Sequence, residues 1–143
     1  VGPEIDYVLV KTFNQYTGTA VNVILAKNLL SKQFGKNYFQ TEEEDAFNAV
    51  DTTLKSIPYR ILGECKGRDL AEIRYEQLLP YALPHKNPEN AFRVITGEFV
   101  TTEDGTGIVH TAPTFGADDA KVAREASPEV PPMLVLDQHG NPV

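Results

Sequence analysis

One cysteine, Cys65, serves the whole 143-residue chain. Alone it closes no internal disulfide and builds no zinc site. Nor does any apolar run approach the ~18 residues that a membrane-spanning helix needs, and no basic-then-apolar leader opens the chain, so no anchor or secretory signal is read. An intracellular, cytoplasmic setting is the expectation. Positive charge is also in short supply: 13 Lys and Arg stand against 20 Asp and Glu, a formal charge of −7. That balance excludes broad, charge-driven nucleic-acid binding, which needs clustered cations on one face, and leaves room for local contacts to one short RNA end. What is present is ordinary for a folded domain, with 41% hydrophobic and 23% charged residues. Whole-chain disorder is thereby excluded, and the length suits a single domain spanning 1–143.

The pattern along the chain is mostly β. Residues 7–12 (Tyr-Val-Leu-Val-Lys-Thr) and 21–24 read as strands, followed by a short helical stripe through Leu25, Leu29 and Leu30 that ends near Gly35. Thr41 with Glu44 resembles a capping box, and Phe47, Val50, Leu54 and Ile57 recur at helical spacing, so a helix is expected over 41–56 with Pro58 beyond it. Residues 59–66 and 92–100 read as further strands, 133–137 as another, and the proline-rich stretch 75–88 as an ordered loop. A turn cluster covers 101–107, and 118–126 forms a helix that Pro128 must end. Together these elements predict an α+β domain with a small closed β-barrel-like core and a few peripheral helices. The chain opens in a strand without an initiator Met and closes on a turn, which reads as a piece of a longer polypeptide.

Chemistry concentrates in 104–119 (Asp-Gly-Thr-Gly-Ile-Val-His-Thr-Ala-Pro-Thr-Phe-Gly-Ala-Asp-Asp). Gly105 and Gly107 permit a tight turn, and in an extended stretch Ile108, His110 and Ala112 share one face. A loop then enters a helix whose first turn carries Asp118 and Asp119, where the helix dipole keeps a carboxylate ionised. Such an anion opposite His110 suits an ammonium group, a contact worth about 4 kcal/mol at 4 Å and an effective dielectric of 20, before desolvation. The same residues equally suit a plain hairpin turn, a hydrogen-bonded core histidine and ordinary helix-start acids. The order Asp-Gly-Thr-Gly is not the Asp-Thr/Ser-Gly of aspartic proteases, and Gly105-Thr106-Gly107 is neither a Walker loop nor a dinucleotide fingerprint. His85 and His139 stand far from His110 in sequence and give no metal-ligand spacing, and Cys65 reads as a small buried hydrophobe. Spacing alone thus yields a cleft and no reaction.

The run Gly105-Thr106-Gly107-Ile108-Val109-His110-Thr111-Ala112-Pro113, followed by Gly116 and Asp119, closely resembles the inserted editing domain of isoleucyl-tRNA synthetases. Residues 7–12, 75–81 and 99–104 are similar to the same family. The resemblance implies hydrolysis of mischarged valyl-tRNA(Ile), because one methylene is too little for a single site to discriminate, a need for which this synthetase is the standard example. It implies that Asp119 holds the free α-amino group, that His110 lines a pocket admitting valine and excluding isoleucine, and that these two are the catalytic pair. Gly105, Thr106, Gly107, Thr111, Ala112, Pro113 and Asp118 form the substrate-binding set it implies. The resemblance further implies that no metal takes part and that a positioned water attacks the ester with help from the terminal ribose hydroxyl, so that catalysis is mostly positioning. ATP, magnesium and any zinc would belong to other parts of the full-length enzyme. The implied partners are the tRNA(Ile) 3′ end carrying a misattached amino acid and the remaining synthetase domains, with no DNA or membrane. Phe115 stands where many members have histidine, so no side-chain base is available there. A threonine-rich segment that precedes the Val1 region in the family is absent from these residues, and the chain alone is expected to deacylate poorly. The competing readings are a non-catalytic docking module for the tRNA 3′ end and the editing domain of a sister valyl- or leucyl-type synthetase.

Overall fold

The computed structural model describes residues 1–134 and 139–141, apart from the side chain of Leu54. Its centre is a four-stranded mixed sheet in the order β2-β1-β4-β3. Strand β1 (Asp6–Phe13) is rich in β-branched and aromatic residues and pairs antiparallel with β2 (Ala20–Ala26) on one side and β4 (Ile57–Lys66) on the other. The β1–β2 hairpin closes on Asn14, whose side-chain oxygen accepts the backbone N–H groups of Tyr16 and Thr17. Strand β3 (Tyr38–Gln40) adds to β4 in parallel. A bulge interrupts β1–β4: Leu9 faces Gly63 and Val10 faces Ile61, which leaves Leu62 as the extra residue.

Alternation along β1 sends its side chains into two small cores on opposite faces of the sheet. Val8 and Val10 pack with Leu25, and Leu30, Phe34, Tyr59 and Ile61 close over them. The Phe34 ring meets Tyr38 edge-on at 5.0 Å and Tyr59 at 4.8 Å. On the other face Tyr7 packs with Val1, Ala26, Leu29 and Leu70. A helical turn Lys27–Leu29 runs into α1 (Leu30–Gln33), and α2 (Gly67–Leu70) follows β4 directly. The expected stripe is therefore helical at Leu29 and Leu30, while Leu25 still belongs to β2. Gly67 is required by space, since a Cβ there would lie 1.9 Å from the Gly2 carbonyl oxygen.

Three expectations need correction. The α+β class holds, but the sheet does not close into a barrel: β2 and β3 are its two edges, and β3, with three residues, offers too little ladder for closure. No helix fills 41–56. Two 3₁₀ turns, Glu44–Phe47 and Thr52–Leu54, stand there instead. Asp45, Asn48, Asp51, Thr52 and Thr53 are weak helix formers, and Asp51 turns its carboxylate onto the Thr53 N–H and hydroxyl. Tertiary contacts claim the rest: Phe47 stacks on Phe13 at 6.0 Å, and Glu44 pairs with Lys11 and Arg60. Nor does Phe92 open a strand. It sits at φ 55°, and the stretch after it forms, among the described residues, an isolated bridge between Arg74 and Arg93 and backbone hydrogen bonds between Val1 and both Ile95 and Gly97, but no strand. The expected strand over 133–137 falls mostly outside the described residues. Among the described residues no helix is long and apolar enough to cross a membrane.

Tyr7 joins the two ends of this half of the fold. Its buried hydroxyl accepts the Gly2 N–H at 2.9 Å and donates to the Gly107 carbonyl at 2.5 Å. Burial pushes its pKa above the ordinary phenol value. Tyr7→Phe leaves both backbone groups without this partner, so the urea unfolding midpoint should fall by an amount equivalent to about 1–3 kcal/mol.

Candidate functional site

The Gly-Thr-Gly turn is clamped to the sheet by backbone and side-chain contacts. The Thr106 carbonyl accepts the Ala26 N–H at 2.8 Å, the Gly105 carbonyl accepts Gln33 Nε2 at 2.7 Å, and Gly107 receives the Tyr7 hydroxyl. Lys32 Nζ reaches the Asp104 carboxylate at 2.9 Å. Gly105 and Gly107 both adopt positive φ, 71° and 73°. Their surroundings differ: a Cβ on Gly107 would sit 2.6 Å from the Ala26 Cβ, whereas one on Gly105 meets nothing within 4 Å. Conformation alone asks for glycine at 105; conformation and space both ask for it at 107.

Beyond the turn, residues 108–112 belong to no strand or helix among the described residues, and His110 is exposed there. Thr111, Ala112 and Pro113 are half-buried. The chain reverses through 113–115, with the Phe115 N–H donating to the Ala112 carbonyl at 3.0 Å, and enters α3 (Ala117–Glu125). Asp119 lies in the first turn of α3, and its Oδ2 accepts the Ala112 N–H at 3.0 Å. The helix start and the end of the segment that carries His110 are thus held together by one carboxylate. Its other oxygen, Oδ1, takes no hydrogen bond among the described residues.

Asp118 and Asp119 diverge, as neighbours one residue apart on a helix must. Asp118 lines a hollow of about 560 Å³ with Lys121, Glu98 and Phe99, between α3 and the stretch 95–99. Gly105, Thr106, Gly107, His110, Thr111, Ala112, Pro113 and Asp119 are not among its walls. Asp119 and Ala112 are therefore brought together, and the glycine turn is brought to Tyr7, but His110 and Asp119 do not share this hollow. Arg93 is buried and donates to the carbonyls of Asn90 and Pro128, tying the exit of α3 to the Arg74–Arg93 bridge. Sequence reasoning passed over Tyr7, Lys32, Gln33 and Arg93, because each acts across more than thirty residues or through a carbonyl that no pattern marks. Among the described residues no three His, Cys, Asp or Glu side chains gather as a metal site would require.

Comparison with known proteins adds a second line. No family model matches the chain. It is 50% identical over 141 residues to the isoleucine–tRNA ligase of Porphyromonas gingivalis, covering 99% of this chain and 12% of that protein. The isoleucine–tRNA ligase of Cytophaga hutchinsonii is 54% identical over 142 residues, again 99% of this chain and 12% of the relative. That of Clostridium tetani is 40% identical over 144 residues, 97% of this chain and 13% of the relative. Half the positions in common along nearly every residue of the chain is decisive. The chain belongs to the isoleucine–tRNA ligase family. It matches one segment of these ligases and spans about 12% of the length of the curated relatives it matches.

Two outcomes follow for this segment of the ligase. Gly107→Ala should lower the unfolding midpoint clearly more than Gly105→Ala, whose cost is the left-handed backbone alone, about 1–2 kcal/mol. The Asp104 carboxyl is held below its ordinary value of 3.8 by the Lys32 hydrogen bond first, then by the Gly105 N–H and the Lys32 charge. Because the folded value is depressed, the tether is complete above pH 3.8 and is lost as the pH falls through the folded value. In an NMR pH titration the Gly105 amide should report that lowered midpoint, and Lys32→Met should return it toward 3.8.

Proposed function

We propose that this segment is the editing domain of an isoleucine–tRNA ligase and hydrolyses valyl-tRNA(Ile) after transfer. The observation that carries the reading is the Asp119 carboxylate. One oxygen accepts the Ala112 N–H, and the other takes no hydrogen bond among the described residues at the start of α3. A carboxylate oriented in this way can receive the ammonium of a misattached amino acid without first reorganising. His110 stands on the segment that Asp119 anchors, two residues before Ala112, and in this reading its imidazole limits the pocket to valine. The Gly105-Thr106-Gly107 turn, Thr111, Ala112, Pro113 and Asp118 shape the approach of the tRNA 3′ end. A water attacks the ester, the terminal ribose hydroxyl assists, and the protein supplies position rather than a metal. ATP, magnesium and any zinc are assigned to other parts of the ligase, as are most of the contacts that hold tRNA against an acidic surface.

The test uses the full-length ligase. Asp119→Ala should leave isoleucylation in place while valyl-tRNA(Ile) accumulates, with deacylation slowed roughly 10- to 100-fold, as expected for losing a charged hydrogen bond of about 1.5–3 kcal/mol. Asp119→Asn separates charge from architecture, since the amide oxygen can still accept the Ala112 N–H. If the charge recognises the substrate, Asn fails as Ala does. Normal proofreading in both variants would instead favour a docking module without catalysis. His110→Ala should open the pocket and allow isoleucyl-tRNA(Ile) to be hydrolysed.

A further inference from the structure

The stretch 75–83 (Tyr-Glu-Gln-Leu-Leu-Pro-Tyr-Ala-Leu) places large apolar side chains in solvent. Leu78 is 96% exposed and Tyr81 88%, with Leu79 and Leu83 at 67% and 64%. Isolated exposed apolar residues are commonplace, whereas four in six positions of one loop mark an interaction surface. The loop is shaped before any partner arrives. At its base the Tyr75 N–H donates to the Phe92 carbonyl at 3.1 Å, and the two rings meet edge-on at 6.4 Å. At its tip Gln77 Nε2 donates to the Ala82 carbonyl at 2.8 Å and the Tyr81 N–H to the Leu79 carbonyl at 2.8 Å. Pro80 and the buried Pro84 restrict the backbone further. Preorganisation of this kind lowers the entropic cost of docking.

Two observations choose the occupant. Within 75–83 Glu76 is the only Asp, Glu, Lys or Arg, and before the Phe92 base the loop adds a single cation, Lys86, too little to meet a phosphate backbone. The chain also spans only 12% of the ligases it matches, so most of the polypeptide around such a segment lies outside these residues. We propose that 75–83 is a docking surface for an apolar patch on another part of the same ligase polypeptide, with Leu78 and Tyr81 as its anchors. This rests on family membership and not on the editing reading, and it stands or falls separately.

Tyr16 supplies an internal reference, because it is 86% exposed, nearly the same as Tyr81. In the full-length ligase, tyrosine acetylation followed by peptide mass spectrometry should show Tyr81 reacting roughly fivefold or more slowly than Tyr16 and than free N-acetyltyrosine amide. The protection should not change with protein concentration or with added tRNA. Leu78→Asp, which puts a charge into the contact, should return Tyr81 to the rate of the free amide. Tyr81 reacting as fast as the free amide in the unaltered ligase overturns the proposal. So does protection that grows with protein concentration, which means a second copy, or that appears only with tRNA, which means RNA contact. Protection undiminished in Leu78→Asp overturns it as well.

Discussion

A single phenol hydroxyl holds the arrangement together. Tyr7 is fully buried at the start of β1 and spans from the Gly2 N–H to the Gly107 carbonyl, so one side chain links the entry of the sheet to a turn a hundred residues later. Buried backbone groups are costly to leave unpaired, and in this place no strand ladder is at hand to pair them. The glycines follow from that constraint. Gly67 and Gly107 lie against the Tyr7 ring, where a Cβ would come within 2.9 and 3.6 Å of its carbons. The aromatic ring sets how closely three backbone segments approach.

The segment bearing the candidate site is carried by this sheet without belonging to it. Residues 104–107 dock through carbonyls and the Lys32–Asp104 pair, which is exposed and contributes little energy by itself. Residues 108–116 join no ladder among the described residues; the glycine turn precedes them, Asp119 holds Ala112, and the Thr114 hydroxyl donates to the Met133 carbonyl. A site built from two anchored ends has its geometry set by the anchors. Asp119, which the proposed function sets against the substrate, is therefore also the acceptor of the Ala112 N–H.

Local pattern made much of this fold legible. Strands β1, β2 and β4 and helix α3 emerge close to their expected bounds, because alternation, turn residues and a terminating proline all lie within a few positions of each element. The failures share one cause. The 41–56 stretch carries helical spacing, yet its Phe47 and Glu44 find better partners on β1 and β4. The stretch after Phe92 has β-forming residues, but among the described residues it meets only short pieces of backbone, 72–74 on one side and Val1 on the other, and no full strand. Closure of the sheet likewise depends on whether β2 and β3 can meet, and a three-residue β3 at the far edge is a property of assembly, not of composition.

The chain of residues therefore determined by itself the α+β class, the strand and helix segments with strong short-range signals, and the block from Gly105 to Asp119 on which the resemblance to its family was read. Tertiary structure alone decided that the sheet stays open, that the glycine turn seats on Tyr7 and Ala26, and that the adjacent Asp118 and Asp119 part company. One of those acids faces a hollow, and the other secures Ala112. The division has a physical reason. Propensity and periodicity act over a few residues, whereas burial, close approach and the pairing of isolated carbonyls depend on segments that are distant in sequence and meet only in the folded chain.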